Sequence, residues 1–299
     1  MQNAPAIFFA IGLLCFCPSA MLRAELLSQA LLSFPASTKS LEYDNLAQLR
    51  RLPSYETLRR QYSGESLDRV KTTFSKLGIA EESMLEVVSA FGSSSEKLYG
   101  IVSGAFSGLQ ASQLGATPGM RRVAIGNRRA QCSSAGVCVI FLEDSLAAFG
   151  GADVLAEMLR VREGTSPRLG AKTQLGELLA KADFRAPVIG AAPGSDLAAW
   201  IGDGIPKGLL SDANLARLLE NISVFEYSVK LGRKAHLNLN LECASTQTAI
   251  AVRESLRAVN ALQSVAGNFS SGNAPPPFEN LTVGSSEKVV NLALDAAIQ

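Results

Sequence analysis

Chemistry in this chain of 299 residues would have to come from very few places. His236 is its single histidine, so any relay that activates a serine must run through that ring. The same fact excludes a zinc site built on several histidines. The segment Gly190-Ala191-Ala192-Pro193-Gly194-Ser195-Asp196 reads as a strand turning into a helix. Such a turn can offer backbone N–H groups to an anion, or place Ser195 as a nucleophile. It carries neither Gly-Lys-Ser/Thr nor Gly-x-Ser-x-Gly, and helix capping by Ser195 or Asp196 explains it equally well. A hydrolase using Ser195 with His236 is therefore an alternative reading that needs the two brought together.

The remaining chemistry is thiol and acid chemistry. Cys132 and Cys138 flank Ser133-Ser134-Ala135-Gly136, a tight-turn composition, so an oxidising compartment would permit a bridge. A pair of small buried thiols is the competing reading, and Cys243 alternates with leucines as a core residue does. No Cys-x-x-Cys motif is present. Glu143 and Asp144 are adjacent, and neighbours in a strand point to opposite faces, so they form no cation site. The run Gly202-Asp203-Gly204-Ile205-Pro206-Lys207-Gly208 follows a helix and holds a proline, which removes it as a dinucleotide loop. No cofactor and no metal is expected.

The elements that must position these residues follow from periodicity. The best defined is a hairpin over Ile222–Leu231 and 235–243. Leu237, Leu239, Leu241 and Cys243 share one face; His236, Asn238, Asn240 and Glu242 share the other. On the first arm, Tyr227 and Val229 alternate with Glu226, Ser228 and Lys230. Opposed residues point the same way, so like must meet like. Only a three-residue loop, Gly232-Arg233-Lys234, sets Val229 against Leu237 and Lys230 against His236. Glu226, Lys230, His236, Asn238 and Asn240 then make a mixed polar face. Solvation accounts for that face, and contact with a protein partner or a glycan is the functional reading. Mid-strand placement and the lack of any adjacent carboxylate in sequence weigh against catalysis by His236.

Other elements are read in the same way. Met84–Phe91, 98–106, 122–127 and 137–142 are strands, with 147–149 as an edge strand. The run Val137-Cys138-Val139-Ile140-Phe141-Leu142 does not alternate, which implies cover on both faces. Helical spacing marks 67–77, 154–159, 175–179 and 246–265, with Thr173 and Ser245 as caps. Helices at 108–115, 196–201 and 211–220 and a stiff Pro275-Pro276-Pro277 connector complete the list. Hairpins at 84–106 and 122–142 flank one helix; those at 222–243 and 279–296 flank another. The order hairpin–helix–hairpin thus occurs twice. The expectation is an α+β fold: a largely antiparallel sheet with helices packed on one face, built of two similar halves, 25–163 and 173–299, forming one continuous globular unit.

Composition supplies the compartment. Residues 6–16 are almost continuously apolar and end at Pro18, too short a run to span a bilayer and the right length for a secretory signal. Residues 1–24 are read as that signal, with cleavage after Ala20 or Ala24. Hydrophobic residues make up 47% and charged residues 18%, with formal charge +1. Loss of Arg23 with the signal would leave the chain neutral. That excludes the basic footprint of a nucleic-acid binder, and membrane contact is expected only if the N-terminal segment stays attached. The sequence therefore reads as an exported, periplasmic or extracellular protein of non-enzymatic binding or scaffolding type, its partner an envelope protein or a glycan. The alternatives are a carrier holding an apolar ligand between sheet and helices, and the Ser195/His236 hydrolase.

Overall fold

The computed structural model describes residues 18–53, 55–56, 65–92, 98–106, 118–170, 173–179, 186–197, 220–232, 234–269 and 279–297. The expected helices at 108–115 and 211–220, most of that at 196–201 and the Pro275–Pro277 connector lie outside these residues.

Twelve strands form one antiparallel sheet. They are β1 (Ser40–Asp44), β2 (Met84–Phe91), β3 (Leu98–Gly104), β4 (Met120–Ile125), β5 (Arg128–Ser133), β6 (Cys138–Glu143), β7 (Leu146–Gly150), β8 (Val188–Pro193), β9 (Ile222–Leu231), β10 (Lys234–Cys243), β11 (Glu279–Ser286) and β12 (Val289–Ala297). Their order is β11-β12-β10-β9-β8-β1-β2-β3-β7-β6-β5-β4. Among the described residues the helices are α1 (Pro18–Ser33), α2 (Leu46–Leu49), α3 (Glu65–Lys76), α4 (Ala152–Arg162), α5 (Gln174–Leu179) and α6 (Thr246–Phe269). The α+β class with an antiparallel sheet is thus as the sequence implied.

The helices are shared between both faces of the sheet. On one face Val88, Ile101, Ile140 and Ala148 pack with Leu26, Leu27 and Ala30 of α1 and Leu155 and Met158 of α4. On the other, Val87, Val102, Val139 and Phe149 pack with Val70, Phe74 and Leu77 of α3. The physical reason is in β2, β3, β6 and β7: their apolar residues do not alternate, so neither face can meet water. Glycine makes room for this packing, since a Cβ on Gly100 would lie 2.5 Å from the Phe149 ring. On the β9–β12 side, α6 covers the face of Phe225, Leu239, Leu241 and Val290. That is the α3 face of the sheet, as the registers of β1 with β8 and β8 with β9 establish. Among the described residues, no helix is long and apolar enough to cross a membrane.

The strand order contains a repeat of topology. β2 and β3 form a hairpin, and the last strand of the next meander, β7, returns to pair with β3. β9 and β10 do the same, with β12 returning to pair with β10. β1 flanks β2, β8 flanks β9, and β1 joins β8 antiparallel at the seam. The first meander has four strands rather than a hairpin, because Arg128–Ser133 forms β5. Its polar, arginine-rich composition has little strand character of its own and is held by β4 and β6. β7 is internal, between β3 and β6, and not the expected edge strand. Gly126, with φ of 57°, begins the two-residue turn between β4 and β5, inside the span expected as strand.

Candidate functional site

The hairpin β9–β10 has the register that its alternation demanded. Val229 faces Leu237 and Lys230 faces His236, closed by a three-residue loop in which Gly232 N–H donates to the Lys234 carbonyl at 3.1 Å. β12 extends the hairpin, placing Asp295 against His236, Ala293 against Asn238 and Asn291 against Asn240. β11 adds Thr282 and Gly284 beside Ala293 and Asn291. All of these lie on the face opposite α6.

The result is a set of polar rows running across the strands. In one, Asn291 Nδ2 donates to Asn240 Oδ1 at 2.8 Å, and Asn240 Nδ2 reaches Glu226 Oε2 at 3.4 Å. In another, His236 Nδ1 lies 2.7 Å from Asp295 Oδ1, and Asn280 Nδ2 donates to Asp295 Oδ2 at 2.9 Å. The Asn280 hydrogen bond, and after it the imidazole, hold the Asp295 carboxyl below its ordinary value. Between these rows, Ser228 faces Asn238. A depression of about 600 Å³ opens here, lined by Glu226, Ser228, Asn238, Asn240, Asn291 and Thr282 among others. Glu226 and Ser228 at its floor are only 7% and 8% exposed.

Of the residues singled out from sequence, Glu226, Asn238 and Asn240 meet in this depression, with Lys230 and His236 on the next row. Ser195 and Asp196 do not join them. They sit at the Pro193 end of β8, level with Val224, whereas His236 is level with Lys230. Six residues of extended strand separate those levels, about 20 Å. The Ser195 hydroxyl donates to Asp196 Oδ1 at 3.1 Å, inside a three-residue 3₁₀ turn that has no side-chain cap. The geometry therefore removes the Ser195/His236 relay; the helix that Ser195 or Asp196 was expected to cap lies mostly outside the described residues. Gly194 has a packing role, since a Cβ there would lie 1.8 Å from the Ile222 carbonyl oxygen. Among the described residues, no group of three or more His, Cys, Asp or Glu side chains is placed to hold a metal ion. Cys132 and Cys138 are directly paired across β5 and β6 and form a disulfide, while Cys243 is buried and free.

The sequence reading missed two features. Asp295 orients the His236 ring from a strand 59 positions away, so no local signal announced it. The second is an acidic pair at the seam. Glu42 and Asp44 share one face of β1, and the Tyr227 hydroxyl from β9 donates to Glu42 Oε2. The phenol passes flat over Gly190, where a Cβ would fall 2.2 Å from the ring. Burial pushes the Glu42 carboxyl up, partly offset by the Tyr227 hydrogen bond. Burial, then the Glu42 charge, pushes Asp44 well up, with Lys71 acting in the opposite sense. Alternating Leu41-Glu42-Tyr43-Asp44 was the available signal, since it places two acids on one face of a strand that joins two halves.

No protein-family model matches this chain, and no curated protein matches it. Solved structures do. Crystal form I of TP0453 superposes with a TM-score of 0.56 at 9% identity, covering 90% of this chain and 91% of that one. Crystal form III gives 0.56 at 12% identity, covering 90% and 94%, and crystal form IV gives 0.52 at 11%, covering 90% and 93%. At such identities the likeness is one of fold: this chain has the architecture seen in TP0453 across nearly its whole length.

Proposed function

We propose that this is an exported, non-enzymatic binding protein of the cell envelope, and that it binds through the open polar face of β9, β10, β12 and β11. The observation that carries the reading is a hydrogen-bonding face that no helix covers among the described residues. β2, β3, β6 and β7 are covered on both faces, whereas this face presents amides, hydroxyls and a carboxylate in ordered rows. Export is supported by the apolar segment 6–16 and by the disulfide, a bond kept in oxidising compartments. It is compatible with the core as built. Leu26, Leu27 and Ala30 are buried, so cleavage after Ala20 or Ala24 would leave the described α1 residues of the core on the mature chain.

No described feature favours the apolar carrier. The space between sheet and helices on the β1–β7 side is filled by Phe34, Tyr99, Phe74 and Phe149, packed edge to face at 5.3 and 6.1 Å.

Two measurements on the native host test the proposal. Cell fractionation with mass spectrometry of the mature N-terminus should find the protein outside the cytoplasm, beginning at Met21 or Glu25. A photoreactive residue at position 284, beside the polar rows, should crosslink to an envelope component, and one at exposed Glu163 on the first half should not. Cytoplasmic protein retaining Met1, or equal labelling at both positions, would sink it.

A further inference from the structure

The proposed binding face carries a more specific reading. Ser228 is 8% exposed, yet among the described residues neither its hydroxyl nor the facing Asn238 amide has a hydrogen-bond partner within the chain. Solvation explains polar groups that stand in open water. It does not explain a hydroxyl that is nine-tenths buried at the floor of a depression, because buried polar groups are almost always paired. The neighbouring rows are ordered: Asn291 and Asn240 are fixed by their own hydrogen bonds and keep unused donors and acceptors facing outward. The depression thus holds a preset array with one unsatisfied pair at its centre.

The chemistry of the lining selects the ligand class. Among the described residues it contains no Lys, Arg or His and a single carboxylate, Glu226, so a phosphate, sulfate or acidic chain would be repelled. Among the described residues it contains no aromatic side chain, which disfavours an apolar ligand. Amides and hydroxyls that both donate and accept match a ligand that is uncharged and does the same at close intervals. A volume of about 600 Å³ accommodates two or three pyranose rings. Hydrolysis of a glycoside needs two carboxyl groups flanking one bond, and the described residues of the lining offer one.

Resting on the binding-face reading, we infer that the depression binds a neutral oligosaccharide, with Ser228 and Asn238 as its central contacts.

Isothermal titration of the disulfide-intact protein with maltohexaose, cellohexaose and chitohexaose tests this. At least one should bind, and Asn238→Ala should weaken that binding tenfold or more. Gly284→Phe should abolish it by filling the depression. A Cβ at Gly284 meets nothing within 4 Å, so this variant should fold, which an unchanged melting curve would verify. Ser195→Ala, in the 3₁₀ turn after β8 and outside the lining of the depression, should bind as the parent does. The inference is overturned if none of the three sugars binds at millimolar concentration, or if binding survives both Asn238→Ala and Gly284→Phe. Crosslinking from position 284 to a protein, with no saccharide bound, would overturn the saccharide while leaving the binding face in place. Equal labelling from both positions would remove the face itself.

Discussion

Glu42 and Asp44 are carboxyls that burial at the seam raises, and Tyr227 is the phenol that contacts one of them. Both carboxyls are raised, so the folded protein holds protons that the unfolded chain releases. Their contribution to stability is complete below the ordinary carboxylate range and declines as pH rises through the raised values. Asp44→Asn should therefore raise the urea midpoint at pH 8 and leave it nearly unchanged at pH 4. A midpoint that falls at pH 8 would contradict this account. Tyr227→Phe acts in the other direction. It leaves Glu42 without its donor, and a buried group stripped of its partner costs roughly 1–3 kcal/mol, measurable in the same denaturation. His236 follows a different logic: its ring is half-exposed and paired with Asp295 on the solvent side of the sheet, so it orients that row without holding up the core.

At the scale of elements, two glycines and one crosslink set the tolerance to change. Gly194→Ala forces a methyl group into the Ile222 backbone, which cannot rotate away, so destabilisation of about 1–3 kcal/mol is expected in thermal unfolding. Gly284→Ala points into open space on β11 and should stay within about 0.5 kcal/mol of the parent. The pair isolates close approach as the cause. The disulfide closes a loop with a sequence separation of 6, and loop-closure entropy for so short a loop amounts to about 2 kcal/mol. Reduction with dithiothreitol should lower unfolding stability by roughly that amount and leave the distant β9–β12 side intact by hydrogen exchange. The hairpin β9–β10 was fully legible because an alternating strand allows one register only, as one slip reverses every side chain. β5 was not, since its residues have little strand propensity and owe their state to β4 and β6. The edge assignment of β7 failed for a related reason: five residues carry no record of which strands flank them.

Across the whole molecule, α1 binds the N-terminal segment to the body. Leu26 and Leu27 are buried against β2, β3 and α4. Leu27→Ala should cost roughly 2–5 kcal/mol in chemical denaturation. The seam between β1 and β8 carries the Glu42–Tyr227 contact across 185 positions, so the two sides of the sheet unfold together if that contact matters. Two separate denaturation transitions would contradict it.

The sequence by itself determined what local spacing can determine. Alternation fixed the strands and the facing of Val229 with Leu237; the non-alternating run at 137–142 required cover on both faces; the caps at Thr173 and Ser245 marked helix starts that the structure has, each accepting from a backbone N–H. Only the tertiary structure decided the rest. It set His236 beside Asp295 and about 20 Å along the strands from the Ser195 turn, and it joined β12 to β10 to line up the asparagine rows. It also distributed the helices over both faces. These outcomes depend on which distant strands become neighbours, and that choice is made by the joint burial of many side chains, which no short window of sequence contains.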